Sequence, residues 1–160
     1  MTVFSFMQCY NYPKEVVKAS IFTMEDGGRK KYDHYYIFIV ELEAYMKLEK
    51  NGDILIVRPE GELDHHYAAR LRQAVDGAIM VGDIRRVVFD FTGVGFMDSS
   101  GIGVLMGRYR LMSAVGGSVS AFGVSPRLDK LITMSGIKKI INIYETEYQA
   151  TASQTTRGAS

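Results

Sequence analysis

"FMDSSGIGVLMGRYR", residues 96–110, sets two adjacent serines, Ser99 and Ser100, between an apolar segment and a long run with helical spacing. Asp98 stands immediately before them. Ile102, Val104, Leu105, Tyr109 and Met112 recur at helical intervals, and the run stops at "VGG", residues 115–117, where glycine supplies a left-handed cap. The stretch therefore predicts a strand-to-helix turn with Ser99 at or next to the start of a helix that runs to about residue 115. Backbone N–H groups at a helix start lack intrahelical partners, so a serine there can cap them, and a phosphate can be accommodated beside them.

The segments on either side fix the fold class. "MKLEKNGDILIVRPEGELD", from Met46, alternates around an Asn51-Gly52-Asp53 turn, so residues 46–50 and 54–58 read as paired strands. Asp64 reads as an N-cap, followed by "HHYAARLRQAVDGAIM", in which Ala68, Leu71, Val75 and Ile79 share one helical face. "IRRVVFDF", residues 84–91, has the continuous apolar centre of a strand covered on both faces. Beyond the quoted stretch, "SVSAFGV" is a further core strand, and "SPRLDKLITMSG" is a helix entered at Ser-Pro, with Leu128, Leu131 and Ile132 on one side, that closes at Gly136. "IINIYETEYQATAS" supplies a short strand and a polar final helix. The order β-β-α-β-α-β-α-β-α, without internal repeats, places the chain in the α/β class.

Bulk properties exclude several function classes. A chain of 160 residues with 47% hydrophobic content supports one domain with a real core. Its 19 Lys and Arg balance 18 Asp and Glu, so neither a basic face for nucleic acid nor an acidic tail is present. The single cysteine, Cys9, rules out an internal disulfide framework, and the opening "MTVFSFMQCYNYPKE" lacks the basic and apolar regions of a secretory leader. We therefore expect a cytoplasmic protein. The apolar run "YYIFIV", residues 35–40, is far short of the roughly 20 residues that span a bilayer, so no membrane association is expected.

Catalytic readings of the serine pair fail on their neighbours. A nucleophile elbow needs G-x-S-x-G, whereas "MDSSG" puts Asp98 where the leading glycine would stand. His34, His65 and His66 are the only candidate bases. His65 and His66 are consecutive on a helix, about 100° apart, and so cannot chelate a metal as an i, i+4 pair can; they read as solvated residues of a helix start. "TGVGFMDSSGIG" is glycine-rich, but no lysine follows in P-loop spacing to reach a nucleotide. The sequence thus points to no catalytic residue, cofactor or metal, and its bare residues leave Ser99 as an ordinary capping serine or as a modified one.

Three motifs carry a resemblance that weighs on this choice. "GELDHHYAARLR" at 61–72, "FMDSSGIGVLMGRY" at 96–109 and "SPRLDKLITMSGIKKII" at 125–141 resemble, in order and with compatible spacing, the anti-anti-sigma factors of bacteria, a family of small STAS-domain proteins. The likeness covers nearly all of residues 46–150. It implies a mixed β-sheet with helices packed mainly on one face, and a partner switch. The serine after Met-Asp, here Ser99, would be phosphorylated by an anti-sigma factor that is itself a serine kinase. The unphosphorylated protein would bind that kinase and free the sigma factor, and a PP2C-type phosphatase would restore it after phosphorylation. Asp64, Asp98, Ser100 and Gly101 are the partner-binding positions so implied, with Ser100 capping or supporting the helix start. Gly101 and Gly103 read equally as close-approach points for a partner or as helix–sheet packing. "GELDHH" together with "MDSSG" points to the sporulation branch; a general stress partner switch, or a small-ligand-binding domain of the same fold, are the alternatives.

Residues 1–45 stand outside this likeness. They hold six of the ten tyrosines and four of the eight phenylalanines, without a sustained pattern. Leu42-Glu43-Ala44 can be encoded as TTG-GAG-GCN, which contains the ribosome-binding GGAGG, a short spacer before the Met46 codon. The expected organisation is an N-terminal extension over 1–45 that marks a misassigned start, a STAS domain over 46–150 and a flexible tail over 151–160. The alternative is a genuine extension in which "HYYIFIVEL" adds an edge strand or helix and buries Tyr36, Phe38 and Val40.

Overall fold

The computed structural model describes residues 40–42 and 46–152. Gly52, at φ 59°, turns the chain so that β2 (Met46–Asn51) and β3 (Ile54–Pro59) pair antiparallel, Met46 opposite Pro59 and Asn51 opposite Ile54. A short strand, β1 (Val40–Leu42), lies antiparallel on the outer edge of β2, Val40 opposite Leu48. Tyr36 and Phe38, and the side chain of Val40, lie outside the described residues. From β3 the chain continues through β4 (Gly61–Leu63), α1 (His65–Val81), β5 (Arg86–Asp90), β6 (Val94–Met97), α2 (Ser99–Ala114) and β7 (Ser118–Phe122). It ends in α3 (Pro126–Met134), a 3-10 turn (Ile137–Lys139), β8 (Asn142–Tyr144) and α4 (Glu147–Ala152), which carries the helix two residues into the expected tail.

The main sheet has the order β1-β2-β3-β5-β7-β8, with β3, β5, β7 and β8 mutually parallel, and is therefore mixed. Alternation along each strand sorts its side chains. Leu55 and Val57 of β3, Val87 and Phe89 of β5, and Val119 and Ala121 of β7 point into one core with Leu71 and Val75 of α1, Val104, Leu105 and Met112 of α2, and Leu128 and Ile132 of α3. Burying each large side chain of this set contributes about 1.5–3 kcal/mol. Three helices thus cover one face. The reverse face is sealed more thinly, by Ala150 of α4 on Ile54, Ile56, Val88 and Phe122. Charge holds α4 there: Arg58 Nη2 donates to Glu147 Oε1 at 2.8 Å and to Glu49 Oε2 at 3.1 Å, its Nη1 pairs with Asp90, and Arg86 Nη1 donates to the Thr151 carbonyl at 2.7 Å. Burial alone would lower the Arg58 pKa, but its bonds to Glu147 and Asp90 hold it above the ordinary arginine value.

Two elements in the middle of the chain differ from expectation: β4 and β6 form a separate two-stranded parallel ribbon. "GEL" and "VGFM" are too short, and too interrupted by glycine, to show strand periodicity. Within α2, Arg108 is 94% buried. Its Nη2 donates to Asp76 Oδ2 of α1 at 3.1 Å, and its Nε lies 2.9 Å from Oδ1, an ionic contact off the line of a hydrogen bond. Burial holds the guanidinium below the ordinary arginine pKa, against the Asp76 charge. The pair clamps α1 to α2 from within. Replacing Asp76 by Ala strands a buried cation, whereas Arg108→Met removes the charge and keeps most of the volume. We expect Asp76→Ala to lower unfolding free energy in urea by about 2–4 kcal/mol and Arg108→Met by less. Equal losses would show that the pair contributes packing alone.

Candidate functional site

The β4–β6 ribbon decides where the site forms. Leu63 pairs with Met97, and the Asp98 N–H lies 3.4 Å from the Leu63 carbonyl. Each strand passes directly into a helix through one aspartate, Asp64 into α1 and Asp98 into α2. Parallel pairing therefore sets two helix starts side by side. Asp64 Oδ1 accepts from the Tyr67 N–H at 2.8 Å, and that bond holds its carboxyl below the usual aspartate range. Asp98 Oδ1 accepts from the Ser100 N–H at 2.7 Å, a cap of a kind that stabilises a helix by about 1 kcal/mol.

This geometry reassigns the two serines. Neither caps α2, because the Asp98 carboxylate already holds that position; Ser100 contributes its N–H instead, and Ser100 is half-buried. Ser99 is the first residue of α2 and is exposed, so its hydroxyl is accessible at the positive end of the helix. Gly101, expected at a partner interface, is buried: a Cβ there would stand 2.5 Å from Met97 Cγ and 2.7 Å from Leu63 Cδ2. It lets α2 sit down on the ribbon. Gly103 is exposed and a Cβ on it would meet nothing within 4 Å. His65 and His66 are both exposed at the start of α1, their ring centroids 5.7 Å apart in an edge arrangement.

Sequence reading missed what lies on the outer face of the ribbon. Gly61 pairs with Val94 but Glu62 with Phe96, so Gly95 is the extra residue of a β-bulge. The bulge keeps Val94 and Met97 inward and leaves Phe96 half-exposed on the other side. Arg127, from the first turn of α3, lies over the Phe96 ring with Cζ 5.4 Å from its centroid. The only sequence signal was the glycine inside "VGFM", which marks a bulge without naming its occupant. Elsewhere, an open depression beside β8, lined by Val124, Ile143 and Tyr144 and by Asp129 and Lys138, which pair with each other, lies away from Ser99. No helix among the described residues is long and apolar enough to cross a membrane.

This strand-ribbon-helix arrangement has known relatives. The STAS domain family matches residues 45–150, and the chain belongs to that family. The anti-sigma F factor antagonist of Paenibacillus polymyxa is 40% identical over 109 residues, which cover 68% of this chain and 93% of that protein. A solved structure of the anti-sigma factor antagonist SpoIIAA in its unphosphorylated form is 33% identical, with a TM-score of 0.60 over 66% of this chain and 92% of that one. The Bacillus cell fate determinant SpoIIAA in its phosphorylated form is 32% identical, with a TM-score of 0.56 over 67% of this chain and 96% of that one.

The contrast between the two glycines is measurable. Gly101→Val forces Met97 and Leu63 apart and should cost about 1–3 kcal/mol in chemical denaturation. Gly103→Ala should gain about 0.5–1 kcal/mol from helix propensity alone. A destabilised Gly103→Ala would contradict the open space at that position.

Proposed function

We infer that this protein is an anti-anti-sigma factor working as a partner switch. Unphosphorylated, it binds an anti-sigma factor that is also a serine kinase and so releases the sigma factor. Phosphorylation of Ser99 turns that binding off, and a PP2C-type phosphatase turns it on again. The observation that carries this reading is the exposed Ser99 hydroxyl at the first position of α2, left free because Asp98 does the capping. Its action is binding rather than catalysis, in the cytoplasm. The 40% identity to an anti-sigma F factor antagonist supports the sporulation branch.

The physics of the switch is local. A phosphoryl group adds about −1.5 to −2 charges at a surface that already carries the Asp98 and Asp64 carboxylates. In the free protein the α2 N-terminus and solvent stabilise the group. In a docked complex the same group would have to lose its water beside like charges, and docking fails. Asp64 and Asp98 therefore serve twice, as helix caps and as the acidic rim the partner reads. Ser100 holds the cap through its N–H, and Gly101 sets the height of the helix start.

Ser99→Ala should abolish phosphate incorporation by the cognate anti-sigma kinase yet bind it normally. Ser99→Asp, with about half the charge of a phosphoserine, should weaken binding by at least about tenfold, or 1.4 kcal/mol. Labelling that survives in Ser99→Ala and disappears in Ser100→Ala, located by mass spectrometry, would move the switch to the second hydroxyl.

We read residues 46–150 as the switching unit and Met46 as the translation start. A chain beginning at Met46 should then match the full chain in melting temperature and in kinase binding, and the native N-terminal sequence should begin at or just after Met46. A lower melting temperature for the shorter chain would instead make the β1 pairing on β2 part of the working fold.

A further inference from the structure

Beside Ser99 the outer face of the ribbon carries a second feature that the switch itself does not use. Phe96 is turned outward by the Gly95 bulge and stays half-exposed, although an aromatic ring of that size is ordinarily drawn into a core. The guanidinium of Arg127 lies over it, 5.4 Å from Cζ to the ring centroid. Arg127 is itself exposed and, among the described residues, has no carboxylate within ion-pair range. Across the ribbon from Phe96, in register, stands Glu62, also exposed and outside every ion pair described above. Arg127 of α3, Phe96 of β6 and Glu62 of β4 thus bring a cation, an aromatic ring and an anion to the ribbon, with Phe96 two residues before Asp98 and three before Ser99.

We propose that Phe96 and Arg127 form the anchor by which this chain docks its anti-sigma kinase, with an acidic side chain of the kinase on Arg127 and an apolar one on Phe96. The inference rests on the partner-switch reading of Ser99 and extends it to a surface on β6 and α3. One observation and two properties of these side chains point to the occupant. The anchor is continuous with the Ser99 surface, because Phe96 and Ser99 are three residues apart across the β6–α2 junction. The contact with the ring restrains the guanidinium, so less side-chain freedom is lost when it meets a carboxylate, and its planar fork matches that group. Aromatic and arginine side chains are the ones that dominate interface energies when a partner excludes water from them. Glu62, paired with Phe96 across the ribbon, sets the register: a partner acid placed beside it would be repelled, so only a partner with an acid facing Arg127 fits.

The test is binding of the full chain to the purified cognate anti-sigma kinase by surface plasmon resonance at several salt concentrations, with Ser99→Asp measured alongside. Arg127→Ala should weaken binding about tenfold or more, slow association and flatten its salt dependence, and Arg127→Glu should weaken it further. Phe96→Ala should weaken binding to a similar degree through faster dissociation, with its salt dependence unchanged. Arg127→Lys keeps the charge without the planar fork and should fall between the parent and Arg127→Ala. Melting temperatures close to that of the parent for the Arg127 variants exclude misfolding as the cause. Arg127→Ala and Phe96→Ala that bind like the parent, while Ser99→Asp fails to bind, would overturn the anchor and leave the switch standing. Ser99→Asp that binds like the parent would remove the switch reading itself. Arg127→Ala that changes only the dephosphorylation of the phosphorylated chain would mean that the guanidinium serves the phosphate within the same molecule, and the anchor would again fall.

Discussion

The parallel pairing of Leu63 with Met97 is the constraint on which the rest depends. Parallel strands that each run straight into a helix must start those helices at the same end of the sheet, side by side. In this chain a single aspartate separates strand from helix in both cases, so the two caps, Asp64 and Asp98, stand abreast and the first exposed residue after the second cap is Ser99. Lengthening the Asp98 junction by one residue would rotate α2 by about 100° and turn Ser99 away from the shared surface.

Function and stability are kept apart by this layout. The core that α1, α2 and α3 form against the sheet contains neither Ser99 nor Asp98. Under the proposed switch, a phosphoryl group on Ser99 would therefore leave the buried contacts undisturbed, with the solvent-exposed end of the α2 dipole to stabilise it. Arg108 and Asp76 tie α2 to α1 farther along the helices. In the proposed switch, the charge change would then act on the docking partner and leave the packing of α2 against α1 in place. Gly101 belongs to the same logic: its missing side chain lowers the helix start onto Met97 and Leu63, which brings the serine to the level of the ribbon instead of holding it above.

Reading the chain alone sufficed for those features that depend on periodicity and on local chemistry. The alternation around Asn51-Gly52-Asp53, the 3.6-residue spacing of Ala68, Leu71 and Val75, and the Asp98-Ser99 junction each carry their own structural information within a few residues. They fixed the α/β class, the Asp64 cap and the position of Ser99 at the start of α2. What they did not reveal required contacts between distant segments. β4 and β6 are three and four residues long, too short for a period, and exist as strands only because each finds the other. Capping by Asp98 rather than by a serine was decided by which side chain the finished turn points back at the Ser100 N–H. Arg108 carries no local sign of burial, and its pairing exists only because α1 brings Asp76 against it. Gly101 and Gly103 are two identical residues on one helix, and only the ribbon beneath one of them makes it buried and the other open. Phe96 and Arg127 are 31 positions apart in sequence and meet only because α3 crosses the end of β6. The sequence by itself thus determined the longer elements and the place of the Ser99 hydroxyl at a helix start, because both follow from neighbours along the chain. Only tertiary structure decided which groups surround that hydroxyl, because those groups are brought together by the register of two short parallel strands.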